Sequence, residues 1–252
     1  MPHREDGIWR GRVFHLNRLV LAALLPSAGL LLAPAAQAAT RSYIVTDFDS
    51  VRLEAPIAVA VQAGRSVTAR GEGDAALLAR LDLSVSGRVL TIRLKPAPFE
   101  GRRTDETAAT RLFLTAPALR RAQLSGSGAL VVNGMRAQNA EVVSAGSGML
   151  SVANIASDAL TVRQQGAGSL RLAGRAGNLT LQNSGSGTIE AATLTAADLD
   201  ITAEGAGTVH ALATRAAKVT AIGAATVTVD GHPACSVRHA GGGTVNCGGR
   251  SF

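Results

Sequence analysis

The chain has 252 residues and a formal net charge of +7, with 46% hydrophobic residues, 3% aromatic residues and two cysteines. A nucleic-acid surface needs basic clusters interleaved with aromatic rings for stacking, and this composition excludes it. The positive charge is almost all arginine, Lys95 and Lys218 being the only lysines, which points to genomic base composition rather than to a binding specialisation.

At the N-terminus, Arg4, Arg10, Arg12 and Arg18 precede an apolar run from Leu19 to Leu32, which ends in Ala36-Gln37-Ala38. This pattern is a secretory signal peptide with a small-residue cleavage site after Ala38. The run is too short for a spanning helix and contains Pro26, and no other segment is apolar enough to cross a membrane. No cysteine follows it, so a lipoprotein anchor is not expected. The whole chain has 25 basic and 18 acidic residues; the leader holds four Arg and two acidic residues, which leaves a mature chain with 21 basic and 16 acidic residues. The expected location is therefore the periplasm or the outside of the cell.

Residues 39–118 are strand-rich. Val51-Arg52-Leu53, Ile57 to Val61 and Leu90 to Leu94 alternate apolar and polar residues, and Ser86-Gly87 marks a hairpin or tight turn. Between them, Asp74 to Arg80 reads as a short helix capped by Asp74. This part is expected to begin or cap the structure built by the C-terminal half of the chain. The stretch from Pro96 to Thr110, with Arg102, Arg103, Asp105 and Glu106, has the composition of a loop and is a candidate binding loop.

From residue 119 onward the chain repeats. Gly-(Ser/Ala)-Gly recurs as Gly126-Ser127-Gly128, Gly146-Ser147-Gly148, Gly166-Ala167-Gly168, Gly185-Ser186-Gly187 and Gly205-Ala206-Gly207, then as the degenerate Gly223-Ala224-Ala225 and Gly241-Gly242-Gly243. Successive spacings are 20, 20, 19, 20, 18 and 18 residues. A fixed period in this range marks a stacked solenoid. Four residues after the first glycine stand Leu130, Leu150, Leu170, Ile189, Val209, Val227 and Val245; six after it stand Val132, Val152, Leu172, Ala191, Ala211, Val229 and Cys247. The position between them is mostly polar: Val131, Ser151, Arg171, Glu190, His210, Thr228 and Asn246. A second strand precedes the turn, with Ala122, Val142, Val162, Leu181, Ile201, Val219 and Val237 four residues before the glycine. Period-two alternation on both sides of a recurring turn gives a parallel β-helix of about seven coils stacked about 4.8 Å apart.

The glycines supply positive φ where every coil must turn along one path, and the small residue between them is expected to form a close-packed stack. A phosphate-binding loop is disfavoured, because no copy carries the Lys-Ser/Thr of a P-loop or a helix behind it. Cys235 lies six residues before Gly241 and Cys247 six after it, both in inward columns. In an exported protein these two are expected to form a disulfide that ties down the last coil.

The succession Phe48-Asp49-Ser50-Val51, then Leu77-Leu78, Val89-Leu90-Thr91-Ile92, and Leu124-Ser125-Gly126-Ser127-Gly128 with its repeats resembles the GIN domain family, whose members are described as heads of auto-transporter adhesins. The resemblance covers nearly the whole mature chain. It implies an exported bacterial protein with a right-handed parallel β-helix and brings no catalytic residues with it. No C-terminal run of alternating membrane strands succeeds the repeats, so an auto-transporter barrel is not expected.

Two functions compete. The first is a non-catalytic envelope or surface protein that uses its solenoid faces to bind a polysaccharide, a surface or another protein. The second is a polysaccharide-active lyase or hydrolase, which needs carboxylates placed together on one face. The outward column offers Arg171, Glu190 and His210 on successive coils as weak candidates for binding or for acid–base work. His210, His232 and His239 have no metal-ligand spacing, and neither a metal nor a cofactor is expected. Open solenoid ends can pair end to end, which makes a homodimer a candidate assembly.

Overall fold

The computed structural model describes residues 39–96 and 110–252. The leader at 1–38 and the loop positions Arg102 and Arg103 lie outside the described residues.

The repeat folds as its columns require. Strands β8 (Arg121–Gly126), β9 (Ala129–Arg136), β10 (Asn139–Gly146), β11 (Met149–Gly166), β12 (Ser169–Gly185), β13 (Thr188–Gly205), β14 (Thr208–Gly223), β15 (Thr226–Asp230), β16 (Ala234–Ala240) and β17 (Thr244–Cys247) wind into a solenoid of about six turns. Each coil pairs in parallel with the next, so that Gly126, Gly146, Gly166, Gly185, Gly205 and Gly223 stand in one register line. The inward columns four before, four after and six after that glycine are buried from end to end, except for the half-buried Val237 in the last coil. The stretch linking one coil to the next is not a loop. In β11 to β14 it remains strand and forms a third face, with register irregularities at Val152/Ile155, Arg171/Ala173, Ala191/Thr195 and Ala196/Asp198. The shortening of the repeat is absorbed there.

At the corner the two glycines serve different needs. The first has φ between 95 and 128 in all seven copies, a region that costs any side chain strain. The second is limited by space: a Cβ on Gly168 would lie 2.7 Å from the carbonyl oxygen of Gly148 in the coil below. The residue between them, Ser147 or Ala167, is exposed. The expected close-packed stack of small residues is therefore at the second glycine, because the middle residue points out of the corner and away from its neighbours.

One inward column is polar. Two residues before the first glycine, Ser144, Gln164 and Asn183 are buried between Leu124 on one side and Ala203 and Ala221 on the other. The Asn183 amide donates to the Gly187 carbonyl at 3.1 Å, and the Gln164 amide donates likewise to the Gly168 carbonyl. Each amide nitrogen thus satisfies a corner carbonyl from inside, while Gln164 Oε1 and Asn183 Oδ1 have no partner among the described residues.

The N-terminal part both starts and caps the stack. Its elements are β1 (Ala39–Ser42), β2 (Ser50–Leu53), β3 (Ala58–Ala63), β4 (Thr68–Gly73), α1 (Ala75–Arg80), β5 (Leu81–Ser86), β6 (Val89–Leu94) and β7 (Arg111–Ala116). β2 lies in parallel between β6 and β8, and β3 in parallel between β7 and β9. The coil made first in the chain is therefore inserted between two made later. β5 then pairs antiparallel with β6, and β4 antiparallel with β7 and β1, which ends the open edge of the stack. α1 is capped by Asp74, whose carboxylate accepts from the Leu77 amide at 2.7 Å, and it buries Leu77 and Leu78. The hairpin between β5 and β6 turns through Gly87 and Arg88, both at positive φ.

Asp49 ties the inserted coil to both neighbours. Its carboxylate meets Arg88 at 2.9 Å, Arg120 at 3.2 Å and the Ser50 hydroxyl at 2.9 Å, while its backbone carbonyl accepts from the Arg120 amide at 2.8 Å. Burial alone pushes its pKa up; the bonds from Arg88, Ser50 and Arg120 outweigh that and hold it below the usual carboxylate value. At the far end, β18 (Arg250–Ser251) pairs antiparallel with β17, and a Cys235–Cys247 disulfide spanning 6.2 Å between Cα atoms joins β16 to β17.

These contacts set three expected outcomes for stability. Ile201→Asp, which puts a charge into a fully buried column, abolishes folding, read as lost β-sheet circular dichroism and insoluble protein. Gly168→Ala costs about 1–3 kcal/mol in chemical denaturation, while Ala167→Gln stays within about 0.5 kcal/mol. Asp49→Asn destabilises at pH 7 by about 1–3 kcal/mol. Because the folded pKa is depressed, that stabilisation is present above the unfolded carboxylate pKa and is lost as pH falls through the folded value. The two proteins therefore converge in stability in acid.

Candidate functional site

The second face, formed by the strands after the corner, carries the row singled out in the sequence. Backbone register places Phe113, Ala60, Val131, Ser151, Arg171, Glu190, His210, Thr228 and Asn246 side by side along it. Glu190 and His210 are brought together, the carboxylate lying 3.6 Å from the ring Nδ1. Arg171 is next to Glu190 in the row, but no ion pair joins them among the described residues. Asp230, which the column pattern does not single out, meets the His210 Nε2 at 2.7 Å. It comes from the next coil, seven residues after the glycine, where strand alternation turns toward the third face. The ring thus lies between two carboxylates on an open row. Among the described residues, no group of three or more His, Cys, Asp or Glu side chains is placed to hold a metal.

The N-terminal half of the same face is apolar. Phe113, Val131 and Met149 are 40%, 46% and 43% exposed, and Ala58, Ala60 and Ala129 lie among them in the paired strands.

The first face, formed by the strands that lead into the corner, holds a different constellation. Five residues before the glycine, the outward row runs Val89, Ser50, Arg121, Glu141, Thr161, Thr180, Asp200, Lys218 and Ser236. Glu141 is gripped from below by Arg121 at 2.5 Å and from above by Arg163 at 2.8 Å. Arg163 also donates to the Gln182 side chain at 3.2 Å, which fixes its guanidinium on a third coil. Beside this cluster, Arg120 and Arg88 hold Asp49. The Glu141 cluster and Arg120 border a groove of about 470 Å³, lined by Arg120, Arg121, Glu141 and Arg163 with Ser50, Val89, Asn139, Ala140 and Thr161. The sequence signal for it is the Arg120-Arg121 doublet opening a coil with Glu141 one period later. Periodicity assigns Arg121 and Glu141 to an outward column, but not Arg120, which lies just before the strand at the corner.

A family profile described as "Putative auto-transporter adhesin, head GIN domain" matches residues 47–233. No curated protein matches the chain. Among solved structures, a putative adhesin from Bacteroides fragilis superposes with a TM-score of 0.71 at 20% identity, covering 84% of this chain and 98% of that one. A putative lipid binding protein from Parabacteroides distasonis gives a TM-score of 0.66 at 18% identity, covering 84% and 96%. A putative adhesin from the same organism gives 0.62 at 20% identity, covering 83% and 96%. At these identities the likeness is one of fold. With the profile spanning most of the solenoid and its N-terminal cap, the chain belongs to the GIN-domain family of adhesin-head-like β-solenoids.

Proposed function

We propose that the protein is exported and acts without catalysis, as a binding module of the bacterial cell envelope or cell surface. The observation that carries this reading is the pair of flat faces. Continuous coil-on-coil hydrogen bonding holds their outward rows in fixed register, so a large polar surface is presented with little freedom to lose on binding. Export rests on the sequence of residues 1–38, and no helix among the described residues is long and apolar enough to cross a membrane. Membership of an adhesin-head family agrees with both parts of the reading.

The competing reading is a polysaccharide-active enzyme, and Glu190 beside His210 is the observation that favours it. Both readings meet in one experiment. The exported protein is screened on a glycan array and in polysaccharide pulldowns, and the same incubations are assayed for new reducing or unsaturated ends. The expected outcome is saturable binding without product, and unchanged folding in Glu190→Ala and His210→Ala. Product release that disappears in Glu190→Ala would establish the enzyme instead.

A further inference from the structure

On the first face, four arginines meet two carboxylates in the same two-to-one arrangement: Arg88 and Arg120 on Asp49, Arg121 and Arg163 on Glu141. Each cluster keeps a net charge of about +1 after internal neutralisation. Each guanidinium carries five N–H donors in a rigid fork, and these pairings use only one or two of them. The carboxylates therefore serve to hold the forks in place, and three of the four, Arg120, Arg121 and Arg163, line the groove with spare donors. Such an arrangement suits a planar anion that accepts two parallel hydrogen bonds.

We propose that this groove binds the carboxylate groups of an acidic polysaccharide laid along the solenoid axis; the inference rests on the binding-module reading above. Beyond the arginines and the Glu141 they grip, the groove walls carry Asn139 and Thr161, uncharged partners for sugar hydroxyls. The face continues with Thr180, Gln182 and Thr202 on the following coils. A polymer running along the axis meets equivalent positions about every 4.8 Å, the coil spacing. Other anionic partners fit less well. A nucleic acid would need exposed rings for base stacking, and the groove has none. A lipid surface would need large exposed apolar side chains beside the charges; the groove lining offers only Val89 and Ala140, and the exposed Phe113, Val131 and Met149 stand on the second face.

The test measures affinity for polygalacturonate, for neutral dextran, and for vesicles of phosphatidylglycerol and phosphatidylcholine. The proteins are the parent, Arg121→Gln/Arg163→Gln, and Arg136→Gln as a charge control at an exposed position away from the groove. The parent is expected to bind polygalacturonate in a salt-sensitive manner and to ignore dextran. The double variant should lose at least about tenfold in affinity, the scale of one or two charge-assisted hydrogen bonds, with its melting temperature retained. Arg136→Gln should bind as the parent does. Equal polygalacturonate affinity in parent and double variant overturns the proposal, as does an equal loss in Arg136→Gln. So does binding to vesicles alone. If the parent binds dextran alone, the groove assignment fails while the binding-module reading stands. If it binds none of the three and the glycan array is also empty, both fail. Should the double variant melt markedly lower, Arg163→Lys separates the causes. It keeps the charge on Glu141 but loses the fork, so it should retain stability and still lose polygalacturonate affinity.

Discussion

Everything in this protein depends on the corner at which one coil rests on the one before. The second glycine of each turn brings its α-carbon so near the carbonyl of the coil beneath that a methyl group on Gly168 would meet the Gly148 oxygen at 2.7 Å. With that approach made, the amide of Ala167 reaches the carbonyl of Gly146 at 3.0 Å and the amide of Ser169 that of Gly148 at 3.1 Å. The parallel ladder thus passes through the turn without a gap. Register is then inherited from coil to coil, and inward side chains stack on like side chains. Burial of each Val, Leu or Ile contributes about 1.5–3 kcal/mol, set against the entropy of ordering its coil. A corner that failed to close would put the following columns out of line.

That dependence explains what the sequence reveals and what it hides. A local constraint repeated at fixed period leaves a visible trace, and the columns headed by Leu130, Val132 and Val142 are buried as their periodicity predicts. So is the Asp74 cap of the short helix legible, because it rests on a contact three residues long. The inserted first coil is not legible in this way. Val51 and Leu53 alternate equally well whether the strand's neighbours are β6 and β8 or β8 alone, because alternation records which side faces the core and not which strand lies alongside. Gln164 and Asn183 are hidden for another reason. They share the parity of Val162 and Leu181, which decides that they point inward, but their polarity suggests the opposite. Only the corner carbonyls they satisfy make the parity prevail.

The ion pairs obey a different logic from the core. Most of the charged side chains paired on the two faces are a third or more in solvent, where a pair adds little to stability. Asp49 is the exception, since it is largely enclosed and joins three consecutive coils. Glu141 is intermediate: its two arginines come from the coils on either side, and a third coil steadies one of them through Gln182. The Glu190–His210–Asp230 row likewise draws on three successive coils, but it carries one ring between two carboxylates, whereas the Glu141 cluster carries two guanidiniums on one carboxylate.

The uneven repeat length bears on these rows as well. Coils of 18, 19 and 20 residues would disturb any outward row if the difference fell at random. It falls from the end of the second face to the return to the first: register breaks at Val152/Ile155, Arg171/Ala173, Ala191/Thr195 and Ala196/Asp198, and is unbroken through the strands that lead into each glycine. The Thr193 and Thr214 hydroxyls bond to the carbonyls of Leu172 and Ala196 at 3.1 and 3.2 Å, closing part of the backbone hydrogen bonding that the irregularity opens. The third face thus takes up the slack, and the first face keeps its rows straight from the inserted coil to the last. Residues far apart in the chain, such as Arg121 and Arg163, are thereby held close together on one face.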